Sequence, residues 1–236
     1  MTVEAHAKIN WTLEVVGVRP DGYHDLRSIV LPIPLHDSVM IEEAEDIVCE
    51  MPGMDVPQEK NLAYSAAMAL KEAAGAARGA RIAIEKRIPT GAGLGGGSAD
   101  AAAVLNGLNR LWGLHLSETE LCSVAARVGS DVPALTLGGP VLMEGRGERV
   151  SRLSPRQADL LPDIDDVVVF TPDIFASTPA VYREFRETDR GLGPNDLQPA
   201  AIRLYSGIGE AIRQLERQGL KRVTMSGSGS AVYGLR

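Results

Sequence analysis

Five glycines crowd one short stretch, Pro89-Thr-Gly-Ala-Gly-Leu-Gly-Gly-Gly-Ser98, at positions 91, 93, 95, 96 and 97. A strand-like segment precedes them and an alanine-rich, helix-like one follows. Glycine lets the main chain take positive φ and lets a ligand come close. A helix start leaves N–H groups without intrahelical partners. Together they make a cradle for phosphate. Gly91-Ala-Gly93-Leu-Gly-Gly96 is formally GxGxxG, but a dinucleotide fold needs the strand to feed the loop directly and an acidic residue on a second strand about twenty residues on. Here Ile88-Pro89 intervenes, and residues 115–120 read as a helix start. No Lys-Ser or Lys-Thr follows the glycines, which excludes a Walker-type loop. Ser98 at the helix start is an N-cap candidate or a hydroxyl directed at phosphate or metal.

Other residues able to do chemistry lie in four short runs. These are Ala5-His-Ala-Lys8-Ile-Asn10, Asp21-Gly-Tyr-His24, Gly129-Ser-Asp131-Val-Pro133 and Met225-Ser-Gly-Ser-Gly-Ser-Ala231. Taken one at a time they are bland. Lys8 reads as a surface lysine, Asp131 as a cap or first-turn acid favourable with the helix dipole, His24 as a solvated turn residue, Tyr182 as packing and Asn61 as an N-cap. His6, His36 and His115 receive no role.

The elements that must position these residues follow from periodicity and turn chemistry. Residues 9–18, 26–35 and 38–43 read as strands, the first two separated by the Arg19-Pro-Asp-Gly22 turn. Pro32 and Pro34 place the second near an edge or an irregularity. Residues 51–58 read as a loop, 61–77 as a helix and 81–86 as an alternating strand. After the glycines, Ala101, Leu105, Leu108 and Trp112 recur at helical spacing. Ser117-Glu-Thr-Glu120 has the capping-box pattern, so a helix runs to about Val128 and stops at Gly129. Another starts near Asp131, with Pro133 in its first turn. Residues 151–166 read as a linker and 167–170 as a short buried strand. Residues 177–186 and 200–218 read as helices, and 222–225 and 231–235 as strands around the second small-residue run. The expectation is an α+β chain of two domains, 1–150 and 151–236.

At 236 residues and 44% hydrophobic content there is ample chain for a core. The net charge of −7 argues against nucleic acid as a partner, while a local amide nest still admits a small polyanion. Two cysteines without metal spacing, Cys49 and Cys122, point to reduced thiols and a cytoplasmic setting. No apolar run approaches a membrane span, and the start lacks the marks of a signal or transit peptide.

The four runs and the glycine loop, in this order, resemble the GHMP kinase superfamily. The Ala-Lys-Ile-Asn start and the Asp-Gly-Tyr-His tetrapeptide resemble the branch whose acceptor is a cytidine-diphosphate-linked methylerythritol. The resemblance covers residues 3–235. It implies an ATP-binding domain like ribosomal S5 domain 2, followed by a reduced ferredoxin-like domain. It implies ATP and Mg²⁺, with metal ligands unspecified, and phosphorylation of the acceptor's 2-hydroxyl. Asp131 matches the catalytic aspartate and Lys8 the lysine that orients it. Pro89, Thr90, Gly91, Ala92, Gly93, Leu94, Gly95, Gly96, Gly97, Ser98 and Ala99 match the ATP phosphate loop, and Asn61 a residue near its mouth. Asn10, Tyr23, His24, Thr178 and Tyr182 match the acceptor side, where the histidine reads cytosine and the tyrosines stack on it. The partner implied is a small molecule, with neither nucleic acid nor membrane, on a monomer or weak dimer. Family members continue past the third motif with a further helix and strand. The chain ends at Arg236 and the 188–199 loop looks short, so the second domain is expected to be either pared down or truncated, and truncation would leave an open sheet edge. Another GHMP acceptor, or a non-catalytic nucleotide-binding module, remains an alternative.

Overall fold

The computed structural model describes residues 1–20, 22–54 and 56–236. Asp21 of the Asp-Gly-Tyr-His tetrapeptide and Asp55 of the 51–58 loop lie outside the described residues. Two long strands, β1 (Thr2–Val18) and β2 (His24–Ala44), form an antiparallel ribbon. After β3 (Ile47–Glu50), α1 (Leu62–Ala74) and β4 (Gly79–Glu85), the glycine loop leads into α2 (Gly96–Leu111). Then come α3 (Glu118–Val128), α4 (Val132–Leu137) and the hairpin β5 (Val141–Gly145) and β6 (Arg149–Arg152). The rest holds α5 (Pro155–Ala158), β7 (Val167–Phe170), α6 (Thr178–Glu184), α7 (Gln198–Leu204), α8 (Ser206–Arg217), β8 (Lys221–Met225) and β9 (Val232–Leu235).

The first sheet runs β3-β4-β2-β5-β6, with β1 also paired to β2. The segments expected as two strands at 26–35 and 38–43 are one strand. β5 pairs with its residues Leu26–Val30 and β4 with Ser38–Ala44. Between those ladders β2 pairs with β1 alone, and Pro32 and Pro34 fall in that gap, where a missing N–H breaks no second ladder. α2 is buried almost all round from Ala99 to Leu108, with Ala99, Ala101, Ala102, Ala103, Val104, Leu105 and Leu108 in the core. The approach to the sheet is close: a Cβ on Gly107 would lie 2.4 Å from Ile41 Cδ1.

Several local expectations change. β3 and the β5–β6 hairpin lie in stretches not read as strands. The segment taken as a linker opens with the end of β6 and contains a short helix. β7 is half-buried along its length, because it is an edge of the second sheet, β7-β9-β8. The single helix expected over 200–218 is two, broken at Tyr205, whose extended backbone (φ −134°, ψ 81°) ends α7 and whose hydroxyl accepts from Ser177 N.

The ribbon reaches both cores. Ile9 and Trp11 pack in the larger one, with α1, α2 and α3. Leu13, Val15 and Leu26 pack in the second, with α7, α8, β8 and β9.

Candidate active site

A cleft of about 950 Å³ opens between the two sheets. Its floor is the glycine loop. Gly91, Gly93 and Gly95 all have positive φ, at 69°, 74° and 71°. Between them Ala92 and Leu94 point into the core. The loop is stitched on both sides: Lys8 N donates to Leu94 O and Ala231 N to Ala92 O, each at 2.9 Å. A Cβ on Gly93 would sit 2.5 Å from Ser226 O, so the third motif packs directly on the loop. The N-cap of α2 is Gly95, and the first helical bond runs from Ala99 N to Gly95 O. Ser98 is therefore inside the first turn, not its cap. The amides of residues 96–98 are the unpaired donors of that turn, at its positive end.

Lys8 and Asp131, far apart in the chain, meet here. The buried Lys8 ammonium lies 3.2 Å from Asp131 Oδ2 and donates to Asn10 Oδ1 at 2.6 Å and to the Gly93 carbonyl at 3.1 Å. Asn10 is itself fixed, its Nδ2 donating to Ser28 Oγ at 2.8 Å. Asp131 stands at the N-cap position of α4 but makes no capping bond. Its carboxylate is spent on the lysine instead and stays partly open to the cleft. The charges lining the cleft are uneven: Lys8, Lys86, Arg146 and Arg183 against Asp131. With Lys8 paired to Asp131 and Lys86 to Asp37 and Asp100 behind the wall, the cationic excess facing the cleft comes from Arg146 and Arg183.

At the other end, the His24 ring lies 5.2 Å from Tyr182 and edge-on to Phe185 at 5.7 Å. Burial holds the His24 pKa below its usual value, against the opposing pull of Glu187. The Tyr182 hydroxyl is shifted upward, mainly by burial and secondarily by the nearby Asp131 charge. Thr178 Oγ1 meets Ser228 Oγ at 2.7 Å, tying α6 to the third motif. Tyr23 lies under the Arg146 guanidinium at 4.7 Å.

Two expected residues stand apart. Asn61 is not on the cleft wall: its Oδ1 caps α1 by accepting from Ala63 N at 2.9 Å and its Nδ2 donates to Cys49 Sγ. Its neighbour Leu62 lines the cleft. Ala99 is buried beneath the loop.

Sequence reasoning missed Lys86, Arg146 and Arg183. Lys86 is pinned by the fully buried Asp37 and by Asp100, the latter at 2.7 Å. Asp37 Oδ1 also accepts from the Arg87 and Ile88 amides, fixing the entry to the loop. Asp100 Oδ1 has no partner, and burial pushes this carboxyl up to about 7 against the pull of Lys86. Arg146 sits at the β5–β6 turn. Reading residues 141–152 as a hairpin, with Gly145 and Gly147 at its turn, could have found it.

The model for the GHMP kinases N terminal domain matches residues 61–139, and that for GHMP kinases C terminal matches residues 178–235. A 4-diphosphocytidyl-2-C-methyl-D-erythritol kinase of Pelotomaculum thermopropionicum is 39% identical over all of this chain and 88% of its own length. This chain belongs to that kinase family, within the GHMP kinases. The member from Symbiobacterium thermophilum is 52% identical over 189 residues, which are 79% of this chain and 65% of that one. A crystal structure of 4-(cytidine 5'-diphospho)-2C-methyl-D-erythritol kinase superposes with a TM-score of 0.83 at 38% identity, covering 100% of this chain and 90% of the other. Methanococcus jannaschii mevalonate kinase, at 13% identity and a TM-score of 0.70, shares the fold. The GHMP kinases are ATP-dependent small-molecule kinases, and the α+β two-domain architecture of this member is theirs. The Pelotomaculum alignment runs over 263 positions, more than the 236 residues here, so that relative carries residues inside the matched region that this chain lacks.

Proposed function

We propose that this kinase transfers the γ-phosphate of ATP to the 2-hydroxyl of 4-diphosphocytidyl-2-C-methyl-D-erythritol, with residues 1–150 forming the nucleotide domain and 151–236 the second. The observation that carries the reading is the Lys8–Asp131 pair, 3.2 Å apart on the wall of the cleft floored by the glycine loop. Phosphoryl transfer asks for positioning and charge stabilisation more than covalent chemistry. The amides at the start of α2 hold the β- and γ-phosphates, already oriented toward the charge that develops. Asp131 accepts the hydroxyl proton as the new O–P bond forms and the β–γ bridge breaks. Lys8, locked by Asn10 and the Gly93 carbonyl, holds that carboxylate in aim. His24, neutral at pH 7, has a donor and an acceptor edge for cytosine, with Tyr182 and Tyr23 beside it and Thr178 near the third motif. The donor set suits Mg²⁺ held chiefly by the phosphates, since the Ser98 hydroxyl lines the cleft while Asp100 is committed to Lys86. The ion would neutralise the transferring oxygens. The proposed setting is the cytoplasm, with a small-molecule partner and a monomer or weak dimer.

The test is a coupled ADP-release assay with the cytidyl acceptor. Asp131→Asn is expected to lower kcat by about 10²–10⁴ while nucleotide affinity, read by titration, stays within about threefold. Full activity in this variant would refute the role of Asp131. Competition by CMP against the acceptor separates this substrate from other GHMP acceptors, and its absence would count against the cytidyl assignment.

A further inference from the structure

Away from the cleft, three side chains of the β1–β2 ribbon converge on a point the kinase chemistry does not use. Glu4 and His6 are two apart on β1 and share a face of the strand. His36 is the direct cross-strand partner of His6. The Glu4 carboxylate reaches both rings, Oε2 lying 3.2 Å from His6 Nε2 and Oε1 3.8 Å from His36 Nε2. One ligand atom from each residue lies within 4.8 Å of the others. All three side chains remain partly exposed, so a solvated ion can reach them.

The far side of each ring supplies an independent observation. His6 Nδ1 is 3.1 Å from the Ile33 carbonyl, and His36 Nδ1 is 2.9 Å from the Pro34 carbonyl. A carbonyl oxygen only accepts, so each Nδ1 carries a proton, which leaves Nε2, the nitrogen facing Glu4, as the ring atom free to take a metal ion in place of a proton. Such an outer hydrogen bond is how proteins fix the tautomer and orientation of a metal-binding histidine. Both carbonyls belong to the stretch of β2 that lacks a second ladder.

We propose that Glu4, His6 and His36 form a binding site for a divalent transition-metal ion, Zn²⁺ above all. Metal–ligand bonds of about 2.0–2.1 Å at tetrahedral angles place ligand atoms about 3.3 Å apart. The His6 separation to Oε2, 3.2 Å, matches that value, while His36 lies 3.8 Å from the other oxygen, Oε1, so the exposed carboxylate turns to offer one oxygen to both rings. Two imidazoles and one carboxylate suit Zn²⁺, Co²⁺ or Ni²⁺, whereas Mg²⁺ and Ca²⁺ prefer all-oxygen shells. Three protein ligands leave one position for water. An ion here clamps β1 to β2 beside the register shift between His6 and Lys8. It therefore stabilises the native chain in proportion to its occupancy.

The experiment uses the full chain without an affinity tag, stripped with chelator and titrated with ZnCl₂ by calorimetry. Co²⁺ serves as an absorbing probe. One equivalent should bind with a Kd of about 10 µM or tighter, raise the melting temperature and give the visible spectrum of tetrahedral Co²⁺. His6→Gln and His36→Gln should each weaken binding by about tenfold or more, and His115→Gln should leave it unchanged. Weaker binding by the wild type would reduce the cluster to an ion pair only and overturn the proposal. So would full affinity in the His6→Gln/His36→Gln double variant. If the histidine variants do not fold, the exposed Glu4→Gln decides: unaltered affinity and an unaltered Co²⁺ spectrum would overturn the site.

Discussion

Lys8 is the residue on which most of the site's geometry turns. Its ammonium has three acceptors and almost no exposure, so truncation leaves the Asn10 amide oxygen without its donor, while the Gly93 carbonyl keeps the Ser226 hydroxyl at 3.1 Å. Lys8→Met should therefore lower stability by about 1–3 kcal/mol, measured by urea unfolding, as well as turnover; an undiminished midpoint would mean that water replaces the ammonium there. Asp100 presents the opposite case, a buried acid held more protonated than in the unfolded chain. Its ordinary value is 3.8 and its folded value about 7. The folded state then binds more protons between those values, so its contribution to stability is full below about pH 4 and is lost as the pH rises to about 7. Asp100→Asn should flatten the stability profile across that window, and an unchanged slope in denaturation at stepped pH would contradict this. Little of either role was legible in the residue types. A lysine near the start of the chain and an aspartate before Val-Pro are ordinary until they are found together. Their joint order with the glycine loop is what made them readable.

The glycine loop shows how one element carries two kinds of glycine. Gly93 combines a φ of 74° with a hypothetical Cβ only 2.5 Å from Ser226 O. Gly97 lies in the helical first turn of α2, and its Cβ would meet nothing closer than Leu62 Cδ1 at 3.6 Å. Gly93→Ala should cost about 2–4 kcal/mol, combining backbone strain with a clash against main chain. Gly97→Ala should leave the melting temperature unchanged or slightly raised yet raise the KM for ATP, because the added methyl would stand in the cleft at the proposed phosphate site. Equal thermal stability of the two variants would show that the loop is not stitched as described. The helices announced themselves well: the Asn61 cap, the Ser117/Glu120 box and the Gly129 stop all came from local chemistry. The strands were harder. β2 is read as two strands, broken at residues 36–37, because sequence cannot tell a strand end from a strand that changes one neighbour. The hairpin 141–152 was missed because its turn is built on Gly-Arg-Gly rather than a strong dipeptide signal.

Across the whole molecule, the division into two halves is crossed by more than a linker. Leu13, Val15 and Leu26 enter the second core. The 194–196 segment docks on β1, with Asn195 bridging Leu13 and donating to the Met225 and Gly227 carbonyls, each at 2.8 Å. Tyr233 donates its hydroxyl to Asn10 O at 3.0 Å while its ring stacks with Trp11. Calorimetry should therefore record one cooperative transition with matching calorimetric and van't Hoff enthalpies. Asn195→Ala, which strands two buried carbonyls, should lower its midpoint; two resolved transitions in the wild type would show that the halves unfold independently. These long-range ties had no local signature in the sequence. The Gly93 carbonyl, finally, belongs to two structures at once: it is part of the bend proposed to receive the triphosphate and it is a tether for the Lys8 ammonium. On the proposed mechanism, any settling of that bend around an arriving nucleotide would drag the lysine and, through it, re-aim Asp131, so that donor loading and acceptor activation would be one mechanical event.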